Sequence, residues 1–101
     1  MKGGWVYTLA NRAHGVLYIG VTADLDQRMW EHRNGHGSIF CRRYGIDRLV
    51  HVEEYPTIEE AIVREKRLKR WRREWKIELI ESMNPEWLDL GTTFSSASSR
   101  T

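Results

Sequence analysis

The stretch from Trp5 to Gly20 constrains the fold more than any other part of the chain. It opens with a run of β-branched and aromatic residues that ends at Ala10, and a similar run returns from Val16. A polar loop of five residues, ending in a glycine, separates the two runs. Such runs favour strands, and a loop of this length joins antiparallel neighbours. The stretch therefore predicts a β-hairpin with strands over residues 5–10 and 16–22.

A third strand is expected over residues 47–55. Pro56 would end it, because proline cannot continue a central strand. Between the hairpin and this strand, a helix is expected over residues 24–33, capped by Thr22 or Asp24. The helical period places three of its residues on the inward face: Leu25, Met29 and His32. A short helix capped by Ser38 is expected to follow, with Ile39, Phe40 and Tyr44 in it.

Two more helices are expected after Pro56. Thr57 and Glu60 form a capping box, which predicts a helix from Ile58 into the low seventies. A second helical segment over 71–82 is expected after a break near Arg72 and Arg73, with Asn84-Pro85 ending it. Its inward residues are expected to be Trp75, Leu79 and Ile80. The pattern does not decide whether Trp71 joins them.

The first of these helices contains an unusual acidic residue. Glu65 lies four residues after Ala61 and three before Leu68, so the helical period places it on the buried stripe. A buried carboxylate is unfavourable unless it is paired or bound to a metal. Glu65 is therefore either one half of a structural ion pair, for instance with Arg28, or a functional residue.

The distribution of charge points to a polyanionic partner. The chain has 101 residues, enough for one domain, and a net charge of only +2. Residues 64–76, however, hold eight Lys or Arg against two acids, too few to pair the run. The alternative is a solvated helix face. The single cysteine, Cys41, excludes an internal disulfide, and the absence of a long apolar run favours a cytoplasmic protein with no membrane contact.

Most familiar catalytic motifs are absent. There is no phosphate-binding glycine motif, no nucleophile elbow and no set of Cys and His residues with the spacing of a zinc site. What remains is a group of polar residues on otherwise apolar faces: Tyr7, Tyr18, Arg28, His32 and Glu65. Each has a structural explanation when taken alone, but together they suit cleavage of a phosphodiester bond.

Five segments, taken in order, carry a resemblance to a known family. They are Trp5-Val6-Tyr7 before Tyr18-Ile19-Gly20, then Gly20-Val21-Thr22, then Leu25-x-x-Arg28-x-x-x-His32, then Arg64-Glu65-x-x-Leu68-Lys69, and last Asn84-Pro85-x-Trp87-x-Asp89-Leu90. Over residues 4–90 the chain resembles the GIY-YIG nuclease superfamily, and more narrowly its small stand-alone bacterial members. Trp5 and Val6 stand where the family has Gly and Ile.

The resemblance implies an α+β fold with a central three-stranded antiparallel sheet flanked by helices. It also implies hydrolysis of DNA with one bound Mg²⁺ or Mn²⁺. Glu65 would hold the metal and Arg28 would grip a phosphate oxygen, while Tyr7 would act as general base, helped by His32. Tyr18 would position water or phosphate, and Asn84 is a possible additional site residue. We expect Arg28 and the metal to favour the phenolate of Tyr7.

The substrate is expected to be DNA, chosen by its shape, because the chain has no separate recognition domain. Branched or single-stranded DNA in repair or recombination would fit. Seven basic residues are the expected DNA contacts: Arg33, Arg42, Arg43, Lys66, Lys69, Arg70 and Arg73. The alternatives are a non-catalytic nucleic-acid-binding module and a catalytic subunit that is inactive without a protein partner. The nuclease domain is expected over residues 1–91, followed by a disordered Ser/Thr-rich tail over 92–101. Oligomeric state stays open.

Overall fold

The computed structural model describes residues 3–91; the predicted tail over residues 92–101 lies outside the described residues. Seven elements follow one another: β1 (Gly4–Ala10), β2 (Leu17–Thr22), α1 (Leu25–Arg33), α2 (Ile39–Tyr44), β3 (Arg48–Tyr55), α3 (Ile58–Arg70) and α4 (Arg73–Met83). The three strands form one antiparallel sheet in the order β2-β1-β3. The predicted α+β fold is confirmed. Within residues 3–91, no helix is long and apolar enough to span a membrane.

β1 is the central strand, and its side chains alternate between two packed layers. On one face Tyr7 and Leu9 pack with Leu25 and Met29 of α1, together with residues of α2 and β3. On the other face Val6 packs with Ile19 and with two residues of α3, Ala61 and Leu68. Ala10 packs with Val50, Ile80 and Trp87 at the end of the sheet nearest α4. The period of two residues along a strand thus divides the core between two helical layers.

The predicted helix caps are present. The side chains of Asp24, Ser38 and Thr57 each accept hydrogen bonds from backbone N–H groups in the first turn of the helix that follows. Such caps satisfy N–H groups that lack a partner within the helix. The break between α3 and α4 lies at Trp71 and Arg72, both of which have extended backbone.

One inward residue of α4 was predicted wrongly. Ile80 is buried and Leu79 packs against the α3 layer, but Trp75 is 45% exposed. The two extended residues between α3 and α4 reset the helical phase, so the inward stripe does not continue across the break. The Arg72 guanidinium lies 4.8 Å from the centroid of the Trp75 ring, which therefore packs against a cation rather than in the core.

Candidate active site

Tyr7, Tyr18 and His32 form one cluster on the α1 face of the sheet. The Tyr7 hydroxyl lies 3.4 Å from Nε2 of His32, and the two rings meet edge to face with centroids 5.9 Å apart. The Tyr18 ring lies 5.9 Å from the His32 ring and 6.4 Å from the Tyr7 ring. Tyr7 is only 1% exposed, whereas Tyr18 is partly accessible. The structure thus brings together three of the predicted site residues, from two strands and a helix.

The hairpin register fixes the position of the Tyr7 hydroxyl. Tyr7 pairs with Gly20 across the β1–β2 ladder. A Cβ at Gly20 would lie 2.5 Å from both Cζ and Oη of Tyr7, well inside van der Waals contact. Only glycine leaves room for the phenol at this position, so Gly20 supports the site without contributing a side chain to it.

A second glycine makes room for His32. The imidazole is 8% exposed, and a Cβ at Gly37 would lie 2.5 Å from its Nδ1. Nδ1 makes no hydrogen bond within residues 3–91. Burial lowers the pKa of His32, and the neighbouring positive charge of Arg28 lowers it further. The imidazole is therefore neutral near pH 7 and able to accept a proton.

Arg28 is half-buried beside this cluster. Its Nε lies 3.4 Å from Oε1 of Glu31, one turn along α1. Burial is the main cause that raises the pKa of Tyr7, and the opposing charge of Arg28 does not offset it. The expected effect of Arg28 on the phenolate is therefore present but smaller than that of desolvation, and the expected part of the metal stays a prediction. Tyr7 is a neutral phenol, and a proton leaving it needs an acceptor.

Glu65 lies on the inward face of α3, as the helical period predicts, and is 9% exposed. Its Oε2 lies 2.6 Å from Nζ of Lys69, one turn further along the helix. The alternative pairing of Glu65 with Arg28 is not formed, since the partners are Lys69 and Glu31 respectively. The counter-ion of this nearly buried carboxylate is thus an exposed side chain.

The donor set around Glu65 fits one kind of metal site. Within residues 3–91, no three His, Cys, Asp or Glu side chains converge in a way that would hold a metal ion alone. Mg²⁺ commonly binds through one or two carboxylates while water and substrate phosphate complete its coordination. A single, nearly buried carboxylate is compatible with that mode and not with a closed protein cage.

Asn84 has a structural role in this conformation. Its Nδ2 donates to the carbonyl oxygens of Val50 and Leu88, at 3.0 and 2.9 Å, and its Oδ1 accepts from the Leu88 N–H. Both amide hydrogens are therefore used in fastening the segment after α4 to β3. This clamp follows the end of a helix, and no pattern in the sequence distinguishes it from a site residue.

The expected DNA contacts divide into two groups. Four already have intramolecular partners: Arg33 pairs with Asp89, Arg42 donates to the Gly35 carbonyl, Lys69 pairs with Glu65, and Arg73 donates to the carbonyls of His14 and Gly15. Arg73 therefore fastens the hairpin loop to α4. Lys66 and Arg70 are exposed on the outer side of α3, and Arg43 is exposed on α2 beside the Tyr44 ring.

Comparisons with known proteins agree with this geometry. The GIY-YIG catalytic domain family matches residues 3–78. A UPF0213 protein of Bacillus pumilus is 38% identical over 74 residues, covering 73% of this chain and 76% of its own length. One from Staphylococcus aureus is 32% identical over 81 residues, 80% of this chain and 98% of its own. The solution NMR structure of the UPF0213 protein BH0048 from Bacillus halodurans superposes with a TM-score of 0.52 at 33% identity, covering 81% of this chain and 86% of that one.

Proposed function

The chain belongs to the GIY-YIG catalytic domain family, and from that premise we propose that it is a divalent-metal-dependent endonuclease that hydrolyses phosphodiester bonds in DNA. The observation that carries the proposal is the contact between the Tyr7 hydroxyl and Nε2 of the neutral, buried His32. A phenol alone is a poor base at pH 7. A phenol that passes its own proton to an imidazole as it accepts another is a competent base.

Each residue has a distinct part in this mechanism. As water attacks phosphorus, its proton goes to Oη of Tyr7 while the Tyr7 hydroxyl proton goes to Nε2 of His32. The bond from phosphorus to the 3′-oxygen breaks, and that oxygen takes a proton from solvent, which leaves a 5′-phosphate and a 3′-hydroxyl. Arg28, half-buried beside the cluster, holds a non-bridging phosphate oxygen. Tyr18 is the partly accessible ring that positions water or phosphate.

Glu65 is the residue that would hold Mg²⁺ or Mn²⁺, and the ion, when bound, neutralises negative charge on the scissile phosphate. In the resting protein this carboxylate pairs with the exposed Lys69. Lys66, Arg43 and Arg70 then contact phosphates elsewhere on the strand, which makes binding sensitive to salt. We place this activity in the cytoplasm, on branched or single-stranded DNA in repair or recombination.

The test is a cleavage assay with supercoiled plasmid, branched DNA and single-stranded DNA, in Mg²⁺, in Mn²⁺ and in EDTA. Cleavage is expected with metal only, and Glu65→Ala and Tyr7→Phe should each abolish it while DNA binding persists. The matched control is Glu59→Ala, which removes an exposed acid in the first turn of α3. DNA binding without cleavage, unchanged by Glu65→Ala, would instead identify a non-catalytic binding module.

A further inference from the structure

An array of stacked side chains lies where α3 gives way to α4. The rings of Trp71 and Trp75 meet edge to face with centroids 6.1 Å apart. The Arg64 guanidinium lies 5.1 Å from the centroid of Trp71, and that of Arg72 lies 4.8 Å from the centroid of Trp75. We call these four residues the tryptophan platform. Its outer ring, Trp75, is 45% exposed, an arrangement that core packing does not require.

The tryptophan platform is held in place from beneath. Glu53 of β3 accepts two hydrogen bonds from Arg64, at 2.8 and 3.1 Å, which fixes the plane of the guanidinium. The same carboxylate is bonded to His51 and accepts from the Tyr55 hydroxyl. Arg64 is therefore oriented before any ligand arrives, so binding at the platform loses little side-chain entropy.

Two open cavities meet at Trp71, and their linings differ. A cavity of about 390 Å³ is lined by Trp71 with Val63, Lys66, Arg67 and Arg70. A second of about 470 Å³ is lined by Trp71 and Trp75 with Glu78, Leu79 and Ser82. One side thus offers three cations and the other offers aromatic surface. A ligand that fits both combines negative charge with a flat apolar group at a short, fixed distance.

We propose that the tryptophan platform binds unpaired nucleotides, with a base stacked on Trp75 and the backbone phosphates against Lys66, Arg67 and Arg70. Positive grooves with exposed aromatic rings bind single strands in this way, because every base has a face that stacks. Paired bases in a duplex have no such face available. An acidic amphipathic peptide would match the charges, but it needs a continuous apolar groove, and here the guanidiniums of Arg64 and Arg72 interrupt the apolar surface.

This surface also lies close to the proposed catalytic carboxylate. Trp71 follows Glu65 by six residues, which is about 9 Å along a helix axis. The tryptophan platform and Glu65 therefore belong to the same stretch of α3 and its C-terminal end. The statement that a bound strand is a substrate rests on the proposed function. Binding of a strand at the tryptophan platform does not depend on that function.

The test measures binding in EDTA, where no metal-dependent cleavage interferes. Fluorescence anisotropy would follow wild-type protein and variants with a labelled single strand, the matching duplex, and the same strand made abasic. Trp75→Ala should raise Kd for the intact single strand about tenfold, a change of 1.4 kcal/mol that lies within the range of base–aromatic stacking. Kd for the duplex and the abasic strand should change less than about twofold, and Trp75→Phe should recover most of the loss.

Trp30→Ala is the matched control, since Trp30 is a 54% exposed tryptophan on α1 that stacks on His36. It should bind the single strand as the wild type does. Equal weakening of single strand, abasic strand and duplex by Trp75→Ala would overturn the proposal, as would no weakening at all. The proposal would also be overturned if Trp75→Ala raised Kd for an acidic peptide probe but not for the oligonucleotide. Platform-dependent binding by a protein that never cleaves DNA would refute only the proposed nuclease.

Discussion

Gly20→Ala tests the catalytic role of Tyr7 without touching any reactive group. The new Cβ would lie 2.5 Å from Cζ and Oη of Tyr7, whereas ordinary van der Waals contact begins near 3.4 Å. The phenol must therefore move by about 0.9 Å. Its contact with Nε2 of His32 is already 3.4 Å long, so a movement of that size breaks or misaligns it. A displacement of ~1 Å at a reacting group slows catalysis by about 10²-fold.

The assay is single-turnover cleavage of plasmid DNA at saturating metal and protein. Tyr7 is only 1% exposed, so its ring has no space to swing aside, and the overpacking should also lower the free energy of unfolding by about 1–3 kcal/mol. Ile80→Val is the control, because Ile80 packs with Ala10, Val50 and Trp87, in a cluster that contains neither Tyr7 nor Glu65, and its shortening affects stability alone. A Gly20→Ala enzyme that cleaves at the wild-type rate would refute the placement of Tyr7 in the reaction.

Three further outcomes are expected. Burial, and then the charge of Arg28, lower the pKa of His32 below its ordinary value, so the cleavage rate should hold at neutral pH and fall only in acid, where the protonated imidazole accepts no proton. His32→Gln should remove this acid limb from the pH–rate profile. Burial opposes ionisation of Glu53, but hydrogen bonds from His51, Arg64 and Tyr55 outweigh it and lower its pKa to about 2 from 4.5. The stability that this adds is present above pH 4.5 and lost as the pH falls toward 2, so urea unfolding of Glu53→Gln should show a loss of about 3 kcal/mol at pH 7 that vanishes near pH 2. Thr57→Ala removes the cap on the Glu60 N–H and should lower the unfolding free energy by about 1 kcal/mol in the same assay, while Thr57→Ser should not.

Features set by local periodicity were predictable from the sequence. The strands, the caps at Asp24, Ser38 and Thr57, and the inward position of Glu65 each follow from the spacing of residues within one element. The exposed face of Trp75 was not predictable, because the extended residues at 71 and 72 shift the helical phase by an amount that spacing alone does not give. The cluster of Tyr7, Tyr18 and His32 was predicted by resemblance, not by periodicity.

The remaining features are of two kinds, ion pairs within one helix and contacts between elements. The pairing of Arg28 with Glu31, three residues on, has a signal in the helical spacing, and so does that of Glu65 with Lys69. The sequence carries no signal for the role of Gly37, because a glycine is required there only by the His32 ring that packs against it. The raised pKa of Tyr7 likewise comes from burial in the assembled core, and no neighbour in sequence reports it. These are the features that decide whether the Tyr7–His32 contact is chemically useful.

The site also explains why the first half of the family signature has changed in this chain while Tyr7 is kept. Val6 is fully buried between the sheet and α3, where it packs with Ile19 and Ala61, so this position requires an apolar residue. In this part of β1 the position that requires a small residue is Gly4, because a Cβ there would lie 2.8 Å from the Cβ of Ala61. Trp5 packs on the α1 layer. Packing therefore constrains positions 4–6, whereas clearance for a hydroxyl constrains Gly20 in the second half. The second constraint is stricter, because core packing tolerates exchange of one apolar side chain for another, and no side chain larger than a hydrogen leaves the Tyr7 phenol where it is.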